Sequence, residues 1–88
     1  MQISVKLYAT LVRLIPDQVS ERYPDGVRAG IPLSVELADG STLADLIETL
    51  GLPPEKVRVT FVNGRAQPRS YHIAPGDEIG IFPPVGGG

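Results

Sequence analysis

Apolar and polar residues alternate from the start of the chain. Ile3, Val5 and Leu7 point one way and Gln2, Ser4, Lys6 and Tyr8 the other, the period-2 signature of a half-buried strand. Leu11, Val12, Leu14 and Ile15 suit a short helical turn that Pro16 stops. Asp17 to Gly30 is polar and carries turn signals at Pro24, Asp25-Gly26 and Gly30, which predicts a long loop. Leu33, Val35 and Leu37 give a second strand, and Asp39-Gly40 a turn. A helix follows. Thr42 is a good N-cap with Asp45 three residues on, and Leu43, Leu46, Ile47 and Leu50 form one apolar face. Gly51 suits the left-handed position after the helix, Leu52 the hydrophobic contact that accompanies it, and Pro53-Pro54 forbid continuation.

Val57, Val59 and Phe61 alternate with Arg58 and Thr60 to predict a third strand with those three apolar residues inward. Asn63-Gly64 is the preferred two-residue hairpin turn, so a short edge strand is expected at Arg65–Gln67, limited by Pro68. Pro75-Gly76 signals a type II turn. Asp77–Phe82 reads as the last strand, with Ile79 and Ile81 inward and Glu78, Gly80 and Phe82 outward.

One helix with one apolar face needs one sheet to cover it, which gives a two-layer α+β fold. The first and last strands are the most regular apolar strands. Placed side by side at the centre they run parallel, with the helix in the crossover. That is the β-grasp, or ubiquitin-like, arrangement: a mixed sheet of four or five strands with one main helix on one face. Residues 1–85 are expected to form this single domain, and 86–88 a flexible glycine tail leaving its best-anchored strand.

Composition narrows the chemistry. The 88 residues include no cysteine, so there is no thiolate nucleophile, disulfide or Cys-ligated metal. The single histidine, His72, has no visible catalytic partners and reads as a loop residue. Eight basic and ten acidic residues give a net charge of −2, distributed evenly between the two halves, so nucleic-acid binding has no electrostatic basis. No apolar run approaches the roughly 20 residues of a membrane span. With no signal-peptide pattern either, a cytoplasmic location is expected. A domain this small has little room for an enclosed active site.

Glycine (10) and proline (9) are in excess, and three of the glycines are the last three residues. After Glu78 the chain runs Ile79-Gly80-Ile81-Phe82-Pro83-Pro84-Val85-Gly86-Gly87-Gly88 without another charged side chain. Two prolines make a stiff, extended spacer. Glycines without Cβ atoms can thread a channel too narrow for side chains and bring the terminal carboxylate to a distant active site. The chemistry open to such a tip is activation of the Gly88 α-carboxylate by ATP on another protein, then transfer to a sulfur or amine nucleophile. The plain alternative is an inert glycine-rich end.

These residues also carry a family resemblance. A first strand followed by Ala9-Thr10-Leu11, the Ser41-Thr42-Leu43-Ala44-Asp45-Leu46 helix opening, Val62-Asn63-Gly64 and above all Gly76-Asp77-Glu78-Ile79-Gly80-Ile81-Phe82-Pro83-Pro84-Val85 before glycines resemble the MoaD/ThiS family of ubiquitin-like sulfur carriers. The last block is the specific part and is similar to the small subunit of molybdopterin synthase. The resemblance implies a protein co-substrate and not an enzyme. It has no intrinsic catalytic residue, bound cofactor or metal. By the same resemblance, a MoeB/ThiF-type enzyme is expected to use ATP to adenylate Gly88, and a sulfur donor to convert the adenylate to a thiocarboxylate. In the MoaD-like branch the sulfur goes to molybdopterin, for a molybdenum or tungsten cofactor, with a MoaE-like large subunit. In the ThiS-like branch it goes to the thiamin thiazole with thiazole synthase. Gly86 and Gly87 are the implied threading residues. Tyr8, Phe82, Pro83, Pro84 and Val85 are the implied partner interface. MoaD-like tails commonly end in two glycines and this one in three, as some ThiS chains do.

Independently of family, Tyr8 and Phe82 fall on the outward side of strands expected to be neighbours, as a docking centre would require. Arg58, Arg65 and Arg69 are weaker candidates, for steering an acidic partner. Two other functions remain open beside the carrier: a modifier whose Gly88 is joined to lysines of other proteins, and a non-catalytic β-grasp interaction module.

Overall fold

The strongest local signals govern the helix in the middle of the chain. In the computed structural model, which describes residues 1–84, this helix (α3) spans Leu43–Thr49. The Thr42 hydroxyl accepts from the Asp45 amide at 3.2 Å while the Asp45 carboxylate accepts from the Thr42 amide at 2.9 Å, a complete capping box. At the other end Gly51, at φ +72°, donates to the Glu48 carbonyl, and Leu52 donates to Ile47. These are the two bonds of a Schellman motif, and the buried Leu52 is its apolar anchor.

Five strands form one sheet: β1 (Gln2–Leu7), β2 (Leu33–Glu36), β3 (Val59–Val62), β4 (Arg65–Gln67) and β5 (Glu78–Phe82), in the spatial order β2-β1-β5-β3-β4. The first and last strands are parallel central neighbours, in register Val5↔Ile79 and Leu7↔Ile81, and every other pairing is antiparallel. This is the expected β-grasp. Asn63 and Gly64, both at positive φ, make the β3–β4 turn, and Gly76, at φ +82°, makes the turn into β5. Ile3, Val5, Leu7, Val35, Ile79 and Ile81 are buried with Leu43, Leu46, Ile47 and Leu50 in one core between sheet and helix. The opposite sheet face is open: Gln2, Lys6 and Glu78 are exposed and Ser4 is half-buried.

Three expectations are corrected. Val59 and Phe61 are only half-buried, whereas Thr60 and Val62 are buried. A 3-10 turn at Pro54–Lys56 ends at the buried Val57, and β3 begins two residues later. The strand therefore starts in the opposite phase, with Thr60 inward and its hydroxyl donating to the Gln67 carbonyl at 2.8 Å. The segment after Pro16 is not all loop. Beyond α1 (Leu11–Leu14) lies a second short helix, α2 (Asp17–Ser20), with Pro16 in extended conformation at its N-cap and Asp17 in its first turn. Leu11, Ile15 and Val19 are buried at helical spacing and extend the core past the predicted set, as do Leu52 and Ile73. The last strand begins at Glu78, not Asp77. Asp77 is a buried clamp whose carboxylate accepts from the Ala74 amide at 2.9 Å and from the Asn63 side-chain amide at 3.0 Å. In the loop leading to β2, burial raises the Tyr23 phenol above its ordinary pKa, partly offset by the Arg22 charge.

Candidate docking face and tail exit

The open face of the sheet is built by alternation. Because Leu7 and Ile81 are paired inward, the residues one step on, Tyr8 and Phe82, emerge together on the outer face. The Tyr8 amide donates to the Ile81 carbonyl at 3.2 Å and holds the chain in register to that point. Ala9, at φ +53°, then turns the chain away. The two rings stack, with centroids 4.2 Å apart and planes 4° from parallel. Phe61 meets Phe82 edge-on at 5.5 Å and 80°. The corrected phase of β3 delivers this third ring, since Phe61 stands opposite Gly80 and Val59 opposite Phe82.

Gly80 lies beside the two rings. A Cβ there would lie 3.4 Å from Phe82 and 3.5 Å from Tyr8, so the two rings lean over a bare stretch of backbone. Beside them a recess of about 450 Å³ opens onto solvent, with Gly80 in its lining and Lys6 and Glu78 at its edge. Neither of these charges forms an ion pair with a described residue. The loop from α2 to β2 returns next to Tyr8: the Gly30 amide donates to the Leu7 carbonyl at 2.8 Å.

The sequence-predicted site residues divide in two. Tyr8 and Phe82 are brought into contact, and Pro83 and Pro84 follow Phe82 directly at the end of β5. Val85, Gly86, Gly87 and Gly88 lie outside the described residues. Phe61, Val59 and Gly80 belong to the face but were not among the expected site residues. The signal for Phe61 was Val62: the strand read backwards from the Asn63-Gly64 hairpin puts Val62 and Thr60 inward and Phe61 outward. Of the arginines, Arg69 is committed to structure, donating to the Pro54 carbonyl at 2.8 Å and the Val57 carbonyl at 2.6 Å. Arg58 and Arg65 are exposed. His72 Nδ1 lies 3.0 Å from the Gly40 carbonyl, a loop contact.

Among the described residues no group of His, Cys, Asp and Glu could hold a metal ion, and no helix is long and apolar enough to cross a membrane. The groups that converge are three rings, a backbone recess and two opposite rim charges. They are suited to gripping another surface.

Comparison with known proteins agrees with this fold. No curated protein matches the sequence. Among solved structures, SAMP1 of Haloferax volcanii is 23% identical with a TM-score of 0.65, each chain covered in full. A second crystal structure names the H. volcanii protein small archaeal modifier protein 1, at 22% identity and TM-score 0.66, covering 96% of this chain and 98% of that one. A Pyrococcus furiosus protein named as molybdopterin converting factor, subunit 1, is 26% identical with a TM-score of 0.67, covering 97% of this chain and 99% of that one. The fold is thus that of the small ubiquitin-like carriers and modifiers. The ThiS family model matches residues 22–88, three-quarters of the sequence including the whole glycine tail, and the chain belongs to the ThiS family.

Proposed function

We propose that this protein is a sulfur carrier whose Gly88 carboxylate is adenylated by an ATP-dependent enzyme of the MoeB/ThiF type and converted to a thiocarboxylate. The carboxylate oxygen attacks the α-phosphorus of ATP and pyrophosphate leaves. A sulfur nucleophile then attacks the acyl carbon and AMP leaves. The chain contributes the carboxylate and a docking surface, and the enzyme contributes the catalytic groups.

The observation that carries the reading is the position of the Tyr8–Phe82 stack at the end of the central parallel pair, immediately before Pro83-Pro84. A partner that grips the rings is thereby aligned with the segment leading to Gly88. The 26% identity to a molybdopterin converting factor subunit favours molybdopterin as the destination of the sulfur, with a MoaE-like large subunit as acceptor partner. The ThiS family model equally supports a carrier for the thiamin thiazole. The full-length fold match to SAMP1 favours a second reading, in which activated Gly88 is joined to lysines of other proteins. Both readings share the adenylation step.

The test is intact-mass analysis after incubation with ATP, the cognate adenylating enzyme and a sulfide source. Exchange of one terminal oxygen for sulfur supports the carrier. An unchanged mass, under conditions that convert a known carrier, overturns it. Conjugates with other proteins and no thiocarboxylate decide for the modifier.

A further inference from the structure

We infer that Gly80 forms the floor of a socket that receives one bulky apolar side chain of the adenylating enzyme. This rests on the carrier reading above and specifies how the enzyme recognises the chain. Glycine is unfavourable in a strand interior, where it weakens pairing and leaves nothing to pack. Yet Gly80 sits at the centre of β5, between Lys6 of β1 and Phe61 of β3, the middle of the open face. Its φ is not in the left-handed region, so backbone conformation does not require glycine there. What the missing side chain provides is space. The rings of Tyr8 and Phe82 close one side at Cβ-contact distance, and Phe61 stands on the neighbouring strand.

The occupant follows from what lies next to the socket. Residues 85–88 extend at most about 14 Å beyond Pro84 even when fully stretched. An enzyme that acts on the Gly88 carboxylate must therefore bring its body against the end of β5, where the rings and the recess are. Ser4, Lys6 and Glu78 share the lining, but the part over Gly80 is walled by Tyr8, Phe61 and Phe82 and takes an aliphatic or aromatic side chain. Lys6 and Glu78, opposite in sign and without ion-pair partners among the described residues, border it and orient the approaching surface. An anchor residue in a desolvated pocket ringed by polar groups is the arrangement that concentrates binding energy in protein interfaces.

Filling the socket tests this. ATP–pyrophosphate exchange by the cognate adenylating enzyme is measured with wild-type protein, Gly80→Ala and Gly80→Val as carrier, alongside the thermal midpoint of each. Valine at 80 should raise the KM for the carrier at least about tenfold, the change expected for losing one anchor contact of about 1.4 kcal/mol, with kcat within twofold. Alanine, whose Cβ fits at ordinary contact distance from both rings, should fall between wild type and valine. An unchanged KM for Gly80→Val overturns the socket while leaving the carrier reading intact. Should the valine variant not fold, Gly80→Ala decides: a raised KM supports the socket and a wild-type KM overturns it. No exchange with wild-type protein overturns the carrier reading and the socket with it.

Discussion

The ring of Tyr8, one residue past β1, lies face to face with the ring of Phe82 at the end of the parallel neighbour β5, 4.2 Å between centroids. Both rings are only half-buried. Aromatic pairs contribute about 0.5–1.5 kcal/mol beyond their area burial, a modest return for two large apolar groups left partly in water. Phe82→Ala removes the partner of both Tyr8 and Phe61. It should lower the thermal midpoint by several degrees, a loss on the order of 1–2 kcal/mol. Affinity for the adenylating enzyme, read by calorimetric titration, should fall by more than that amount. A stability loss with unchanged affinity would assign the rings to the fold and not to docking.

A second prediction concerns the junction between α3 and the segment before α2. A Cβ on Gly51 would lie 2.7 Å from Cγ and 2.8 Å from Cδ of Pro16. Gly51 also sits at φ +72°. Gly51→Ala therefore incurs about 1–2 kcal/mol for the left-handed conformation and a clash with a ring that cannot rotate away. A total of about 2–4 kcal/mol is expected from urea midpoints. Adding Pro16→Ala should restore the steric part and leave the conformational part. Strict additivity of the two changes would show that the contact is not the source of the loss.

Much of this fold was legible because its signals are local. The capping box, the Schellman glycine and the Asn-Gly hairpin each specify geometry within a few residues. The parallel β1–β5 pairing was legible for another reason: two regular apolar strands have one economical place in a two-layer fold. The phase of β3 was not, because a 3-10 turn inserted after Pro53 breaks the alternation between Val57 and Val59, and nothing in the apolar count marks the break. The same slip hid Phe61 from the docking face and placed it in the core. α2 was hidden by Pro16, which reads equally as a stop for one helix and a start for the next. Leu11, Ile15 and Val19, four residues apart each time, carried that information. In the sequence Gly80 is simply an outward position of the last strand. Its place beside two rings from different parts of the chain shows only in three dimensions.

Asn63 does more than form a turn. Its side-chain amide donates to Asp77 at 3.0 Å and its side-chain oxygen accepts from the Glu78 amide at 2.9 Å, tying the hairpin to the start of β5. Asn63→Asp keeps the acceptor and tolerates the positive φ, but it sets a carboxylate against the buried Asp77 carboxylate. At neutral pH the variant should lose about 2 kcal/mol or more. Crowding two carboxylates raises the folded-state pKa of one above its unfolded value of about 4. The variant's deficit is therefore small below that unfolded pKa and grows as pH rises through the raised folded one. Urea midpoints of both proteins at pH 7 and near pH 4 measure this. A gap independent of pH would mean that Asn63 acts through backbone geometry alone.

The last prediction separates the tail from the domain. The sheet, α3 and the buried core all lie within residues 1–84. Deleting Gly88 should therefore leave the thermal midpoint where it was. Activation is another matter. Shifting the terminal carboxylate by one residue moves it by about 3.5 Å along an extended chain, and misplacing a reacting group by about 1 Å can cost on the order of a hundredfold in rate. Deletion of Gly88, or addition of one residue after it, should thus abolish ATP–pyrophosphate exchange while the Tyr8–Phe82 face still binds the enzyme. Binding is read by calorimetry and exchange by radiolabel, so the two effects are independent. Retained exchange after deletion would make Gly87 an adequate carboxylate donor and show that the third glycine is dispensable. Loss of binding together with exchange would place the main docking contact in the tail itself and remove it from the rings.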